Sequence, residues 1–183
     1  MTGIGESSYR RDPANQTLNL ESLVYTYSDA LVRYAYCYVS SVDIAEDLVE
    51  DAFAAFIVKN KHFETMEQAR AWLYKAVRSR AVDYLRLHRR HVPLEDVQGI
   101  LSAPGPTEDL ERRQRNAAIY RCMQILPQQY RAVLQLQYFD EFDIAQICKI
   151  LGKTKKQVYN LLARAKGALK ELLLKEGITS EDL

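Results

Sequence analysis

Residues 150–166 read ILGKTKKQVYNLLARAK. Val158, Leu161, Leu162, Ala165 and Leu169 recur at helical spacing and form one apolar stripe, which leaves Lys155, Lys156, Tyr159, Asn160, Ala163, Arg164 and Lys166 facing outward. Gly152 suits the left-handed conformation that closes the helix before it. Thr154-Lys155-Lys156-Gln157 has the capping-box pattern that opens the helix after it. Two helices joined by so short a turn form a helix-turn-helix. Lys155, Lys156, Tyr159 and Asn160 fall in the first two turns of its second helix, where a recognition helix meets the major groove, and Asn can bond adenine bidentately. Arg164, Lys166 and Lys170 lie further back, suited to phosphates. A solvated helical hairpin with one basic face is the competing reading, so the surrounding chain has to decide.

Working outward, apolar residues recur at three and four from Leu18 to about Arg90, which predicts helices near 20–39, 43–60 and 67–90. The stretch 92–108, VPLEDVQGILSAPGPTE, gathers three prolines and two glycines and cannot continue a helix, so it reads as a linker between domains. Beyond it, 109–126, 127–138, 143–151 and 154–175 each read as a helix. The expected organisation is a loose tail (1–17), a helical domain (18–91), the linker (92–108), a second helical domain (109–176) and a short tail (177–183). No strand-period segment of useful length occurs, so the fold class is all-α with two small domains.

The 183 residues, 48% of them hydrophobic, suffice for one ordinary core or two small ones. No apolar run approaches the length of a membrane span, and no basic segment followed by an apolar one opens the chain, so a cytoplasmic protein is expected. Cys37, Cys122 and Cys148 lie far apart, each inside an apolar helical pattern, which fits buried thiols and neither a disulfide framework nor a zinc site. His62, His88 and His91 have no triad or metal spacing. With no carboxylate pair, activated nucleophile or phosphate-cradling glycine loop, no catalysis, metal or cofactor is expected. A monomer is expected too, because no helix shows an unused apolar face.

The net charge of +1 conceals segregation. Residues 42–58 hold five acids and no base; residues 70–91 hold seven bases against Asp83 alone; residues 149–170 hold seven bases and no acid. Blocks of alternating sign point to partners of opposite sign. In DIAEDLVEDAFAAF (43–56), Ile44, Leu48, Val49, Ala52, Phe53 and Phe56 share one helix face and Glu46, Asp47, Glu50 and Asp51 the other. In QARAWLYKAVRSRAVDYLRLHRR (68–90), bases alternate with Trp72, Tyr74 and Tyr84, the composition of a surface that tracks a nucleic-acid backbone and stacks bases.

DIAEDLVEDAF, RAWLYKAVRSRAVDYLR, LPQQYRAVLQLQYF and DIAQICKILGKTKKQVYNLLARAKGALKELL follow one another in family order and spacing over residues 20–175. The chain resembles bacterial RNA polymerase sigma factors of the extracytoplasmic-function type in the sigma-70 family. By that resemblance, Glu46, Asp47, Glu50 and Asp51 would dock on the clamp helices of core polymerase, with the flap as a second site. The loop from Asn60 through Lys61, His62 and Phe63 to Glu67 would hold a base flipped from the minus-ten element of promoter DNA. Lys75, Arg78, Arg80 and Arg86 would lie near the melted strands. Thr154, Lys155, Lys156, Tyr159, Asn160, Arg164 and Lys166 would meet the minus-thirty-five element, and an anti-sigma factor would hold the protein inactive.

Three positions depart from the family pattern. Ser79 stands where Asn is common, and Tyr159 and Leu161 where Lys and Arg are common, so base preferences do not carry over. Trp72 falls near a tryptophan that primary sigma factors use in strand opening, yet its helical setting favours a core anchor. A stand-alone helix-turn-helix regulator would account for residues 143–170 but not for the acidic helix; a purely protein-binding adaptor would leave the basic faces free of DNA.

Overall fold

The computed structural model describes residues 20–59, 63–88 and 110–178, with side chains from 117 onward in the last stretch. The expected tail 1–17, the linker 92–108, the flipped-base candidates Asn60, Lys61 and His62, and the residues after 178 lie outside the described residues. Seven α-helices run in chain order: α1 (Leu20–Val39), α2 (Val42–Val58), α3 (Met66–Leu87), α4 (Leu110–Ile125), α5 (Gln128–Leu134), α6 (Ile144–Leu151) and α7 (Lys155–Lys175). A π-helical turn, Gln135–Phe139, extends α5, where the periodicity predicts an unbroken helix to 138. No strand occurs among the described residues.

Helices α1, α2 and α3 pack on one another in all three pairings. Their shared interior is built from Leu23, Leu31, Tyr34, Val39, Ala45, Ala52, Leu73, Tyr74 and Val77, all nearly or completely buried. Small residues at Ala45, Ala52 and Ala81 allow the helices to approach beside large ones such as Tyr34 and Tyr74, whose rings lie 5.0 Å apart. Ser40, at φ 53°, turns the chain between α1 and α2 without a glycine. Thr65 caps α3 by accepting from the Gln68 backbone N–H at 3.2 Å.

In the second half α7 packs on α4, α5 and α6, through Val158, Leu162, Ala165 and Leu173. Its start is fixed as the sequence predicts. The Thr154 hydroxyl accepts from Gln157 N (3.3 Å) while the Gln157 amide oxygen accepts from Thr154 N (2.9 Å). Helix α6 opens with a second capping box, Asp143 and Gln146 at 2.7 and 3.0 Å, present in the sequence as D-I-A-Q. Gly152 ends α6 in the left-handed conformation (φ 61°).

The two halves do not stand apart. Helix α3 packs on α6 and α1 on α5, so a single apolar cluster runs through both. Two arginines cross this seam. Arg131 of α5, buried, donates from Nε to the Cys37 carbonyl at 3.0 Å, supplying a partner to one of the free carbonyls at the end of α1. Its Nη1 holds the Gln124 carbonyl at 3.1 Å. Arg70 of α3 lays its guanidinium 4.1 Å over the Phe142 ring and donates to the Asp140 carbonyl. The Phe142 ring meets Tyr74 edge-on at 4.8 Å.

Arg70 Nε, the Tyr74 hydroxyl and Asp140 Oδ2 are buried together at this seam and make no hydrogen bond of ordinary geometry, although they act on one another electrostatically. Burial lifts the Asp140 carboxyl from its ordinary 3.8 to about 6, against the opposing pull of Gln135, Tyr74, Arg70 and Arg33. Because the folded value lies above the unfolded one, the folded chain holds its proton more tightly, and stability falls as pH rises from about 4 to about 6.

Two outcomes are expected. Asp140→Asn, which cannot ionise, gains on the wild type by roughly 2 kcal/mol between pH 4 and pH 7 in denaturant unfolding; parallel pH profiles would contradict the buried carboxylate. Gly152→Ala meets no atom within 4 Å of its new Cβ, so its loss is the left-handed strain alone, roughly 1–2 kcal/mol in thermal unfolding, with Gly152→Asn losing less.

Candidate nucleic-acid interface

Helix α7 presents Lys155, Lys156, Tyr159, Asn160 and Arg164 to solvent, with Thr154 exposed at its cap. Tyr159 is half exposed and has the Lys155 ammonium 6.0 Å from its ring centre, so cation and aromatic form one continuous surface in the first two turns. Asn160 and Arg164 open onto a shallow groove of about 330 Å³, whose other walls are Gln129, Tyr130, Lys153 and Gln157. Lys153, in the turn, and Gln129 and Tyr130, at the start of α5, therefore join the basic face. They escape sequence reading because they belong to a different helix and to the connection, outside the periodicity of α7.

Lys166 is set apart from these residues. Its ammonium lies 5.4 Å over the Tyr138 ring, at the rim of an apolar groove of about 450 Å³ walled by Ile119, Met123, Leu134, Leu169 and Leu173. Lys170 stands on the same rim. Lys166 is exposed and stands at the rim of the apolar groove, where the π-helical turn carries Tyr138 beneath it. Among the described residues the second half leaves an apolar face uncovered, which removes the ground for expecting a monomer.

On α3, Lys75 and Arg86 are exposed and Arg78 and Arg80 half-buried. Arg86 pairs with Asp83 at 3.1 Å in a solvated salt bridge. Arg80 donates back to the Ala76 carbonyl at 3.2 Å. Arg78 acts on the buried Tyr38 phenol, whose ionisation burial pushes up to about 12, and that phenol is linked to Tyr34 at 3.1 Å. Of the four, Lys75 is the one the structure leaves unattached to its own helix or to the core.

Phe63, Phe56 and Trp72 form an aromatic cluster with ring centres 5.8–6.2 Å apart. Trp72 packs against Phe56 on one side and lines an open cavity of about 400 Å³ with Phe63 and Lys75 on the other. Gln146 and Lys149 of α6 form the facing wall. An aromatic floor with a lysine beside it suits a stacked, unpaired base.

The acidic side of α2 is as predicted: Glu46, Asp47, Glu50 and Asp51 are all exposed, and Leu48, Val49, Ala52, Phe53 and Phe56 buried. Cys37 and Cys122 are buried and Cys148 partly so; none pairs, and no cluster of three metal-binding side chains occurs among the described residues. Nor is any described helix long and apolar enough to cross a membrane.

Comparison with known proteins matches residues 23–91 to sigma-70 region 2 and residues 116–169 to sigma-70 region 4. The RNA polymerase sigma factor SigV of Bacillus subtilis is 22% identical over 160 residues, spanning 87% of this chain and 94% of that protein. The extracytoplasmic-function sigma factor SigL of Mycobacterium tuberculosis is 28% identical over 166 residues, spanning 87% and 92%. Among solved structures, the sigma factor RpoE of Bartonella quintana, in complex with the anti-sigma factor NepR, superposes with a TM-score of 0.66 at 23% identity, over 84% of this chain and 95% of that one. CnrH, in complex with the cytosolic domain of CnrY, superposes with a TM-score of 0.58 at 21% identity, over 84% and 86%. Both regions matched across the greater part of the chain, in order and on an all-helical frame, make this protein a member of the sigma-70 family, a sigma factor of the extracytoplasmic-function type that directs transcription initiation.

Proposed function

We propose that this sigma factor docks on core RNA polymerase through the acidic face of α2 and reads promoter DNA through α3 and α7. The observation that carries the docking surface is the division of α2: four acids in two successive turns are exposed, and every large apolar residue opposite them is buried or partly so. Among the described residues no base pairs with that face, which suits it to the basic residues of the clamp helices, with the flap a second site in the second half. The minus-ten surface comprises Phe63, Trp72 and Lys75 with the arginines Arg78, Arg80 and Arg86, together with Asn60, Lys61 and His62 of the preceding loop. The minus-thirty-five surface comprises Thr154, Lys155, Lys156, Tyr159, Asn160, Arg164 and Lys166, extended by Gln129, Tyr130 and Lys153.

Sigma factors are initiation factors, and the reading here needs no catalytic group: two modest DNA surfaces tethered to polymerase gain effective concentration from one another, so the free chain binds promoters weakly. The chain would act in the cytoplasm, in two domains at 18–91 and 109–176 joined through 92–108. The complexes of RpoE with NepR and CnrH with CnrY support an anti-sigma partner for this chain as well.

Run-off transcription from native genomic fragments by sigma-free core polymerase tests the reading. The wild type is expected to yield discrete transcripts, Asp47→Arg to lose them together with core binding, and Lys155→Glu with Lys156→Glu to lose them while core binding persists. DNA binding without transcripts would favour the stand-alone regulator, and transcripts indifferent to both changes would refute the two surfaces.

A further inference from the structure

Two residues of α7, Tyr159 and Leu161, depart from the family pattern, and the packing of the protein accounts for only one of them. Leu161 is partly buried against the apolar cluster, so the core fixes its identity. Tyr159 is half exposed in the first two turns, with Lys155, Lys156 and Asn160 exposed around it. A ring that buries so little of itself adds little to folding, and Tyr is a poorer helix former than Lys or Arg. Its role therefore lies in what meets α7 from outside.

The chemistry of the major groove limits what that role can be. Stacking on the ring is closed to paired bases inside a duplex, whose faces are covered by their neighbours. Only base edges remain. Guanine offers two acceptors there, adenine an acceptor and a donor, cytosine a donor, and thymine the O4 acceptor beside its C5-methyl. That methyl is the one apolar group in the set. Tyr159 and Lys155 present its complement: an open ring with an ammonium 6.0 Å from its centre, so that an apolar surface adjoins a cation with three donors. Cytosine in the same place would have no methyl and would turn its N4 donor toward the ammonium. Asn160, about 100° further round the helix, opens with Gln157 and Arg164 onto the shallow groove, so it meets a different base pair.

Resting on the reading of α7 as the minus-thirty-five helix, we propose that Tyr159 determines specificity there by selecting thymine. Its ring packs on the C5-methyl and the Lys155 ammonium donates to O4, near the adenine that Asn160 bonds.

The test uses holoenzyme assembled from core polymerase and the full chain. A promoter fragment found by run-off transcription is randomised across its minus-thirty-five window, and the DNA retained by wild type, Tyr159→Phe and Tyr159→Ala is sequenced. Wild type and Tyr159→Phe should enrich thymine at one position, where Tyr159→Ala shows no preference while keeping its preferences elsewhere in the window. Uracil differs from thymine only in lacking the methyl. Placed at that position, it should weaken wild type and Tyr159→Phe about fourfold in direct competition, the worth of one buried methyl, and leave Tyr159→Ala unchanged. Equal binding of thymine and uracil by the wild type overturns the proposal without reference to any variant. So does a thymine preference that survives in Tyr159→Ala, or a Tyr159→Phe that behaves as Tyr159→Ala, since the hydroxyl and not the ring would then be in use. Selection lost in Lys155→Glu with Lys156→Glu but untouched by Tyr159→Ala sinks thymine reading and leaves α7 as the promoter helix. Selection untouched by all of these variants sinks both.

Discussion

The Cys37 carbonyl lies in the last turn of α1, where no backbone N–H further along the helix comes back to meet it, and Arg131 fills that role from a helix almost a hundred residues away. This one bond fixes α5 against α1. With α5 in place, the π-helical turn and the 140–142 loop fall where Phe142 reaches Tyr74 and Arg70. The same guanidinium ties down the end of α4 through the Gln124 carbonyl. Removing Arg131 would leave the buried Cys37 carbonyl and the partly buried Gln124 carbonyl unpaired at once, which is why a charged group is tolerated there despite the burial that lowers its pKa.

Around that seam three charged surfaces are exposed: acids on α2, bases on α3 and bases on the start of α7. Segregation of this kind costs little folding energy, because each block is solvated and like charges on a helix repel by only tenths of a kcal/mol. It leaves a nearly neutral protein with strong local fields, suited to meeting polymerase and DNA at separate places. The uncovered apolar groove beside Lys166 and Lys170 adds a fourth surface, different in character from the other three.

Much of this organisation was legible in the chain. Helix periodicity placed α1, α2, α3, α6 and α7 within a few residues of where they lie, because their apolar stripes are long and uninterrupted. Gly152 and the Thr154–Gln157 pair marked the turn of the helix-turn-helix, since both are local devices whose partners sit within five residues. The acidic face of α2 was legible for the same reason. What could not be read was everything that joins the halves. Arg70 looks like another member of a basic block, and Arg131 like an ordinary helix residue; their partners are 70 and 94 residues distant. The π-helical turn was hidden too, because one extra residue per turn leaves no mark in the composition of QLQYF. That Lys166 also lies over the Tyr138 ring was hidden as well, since its angle on the helix says nothing of what the π-helical turn brings beneath it.

The sequence distance across the seam also sets an order of events during synthesis. Contacts among α1, α2 and α3 close short loops and form quickly, whereas those of Arg131 and Phe142 must wait for residues made much later. At 5–20 residues per second, several seconds separate completion of α3 from the appearance of Phe142 at the ribosome. Throughout that interval the first three helices lack the cover of Phe142 over one side of Tyr74, and the end of α1 is open to water. Every newly made molecule therefore passes through the undocked form first, and the nascent chain offers a chaperone an aromatic patch that the finished protein conceals.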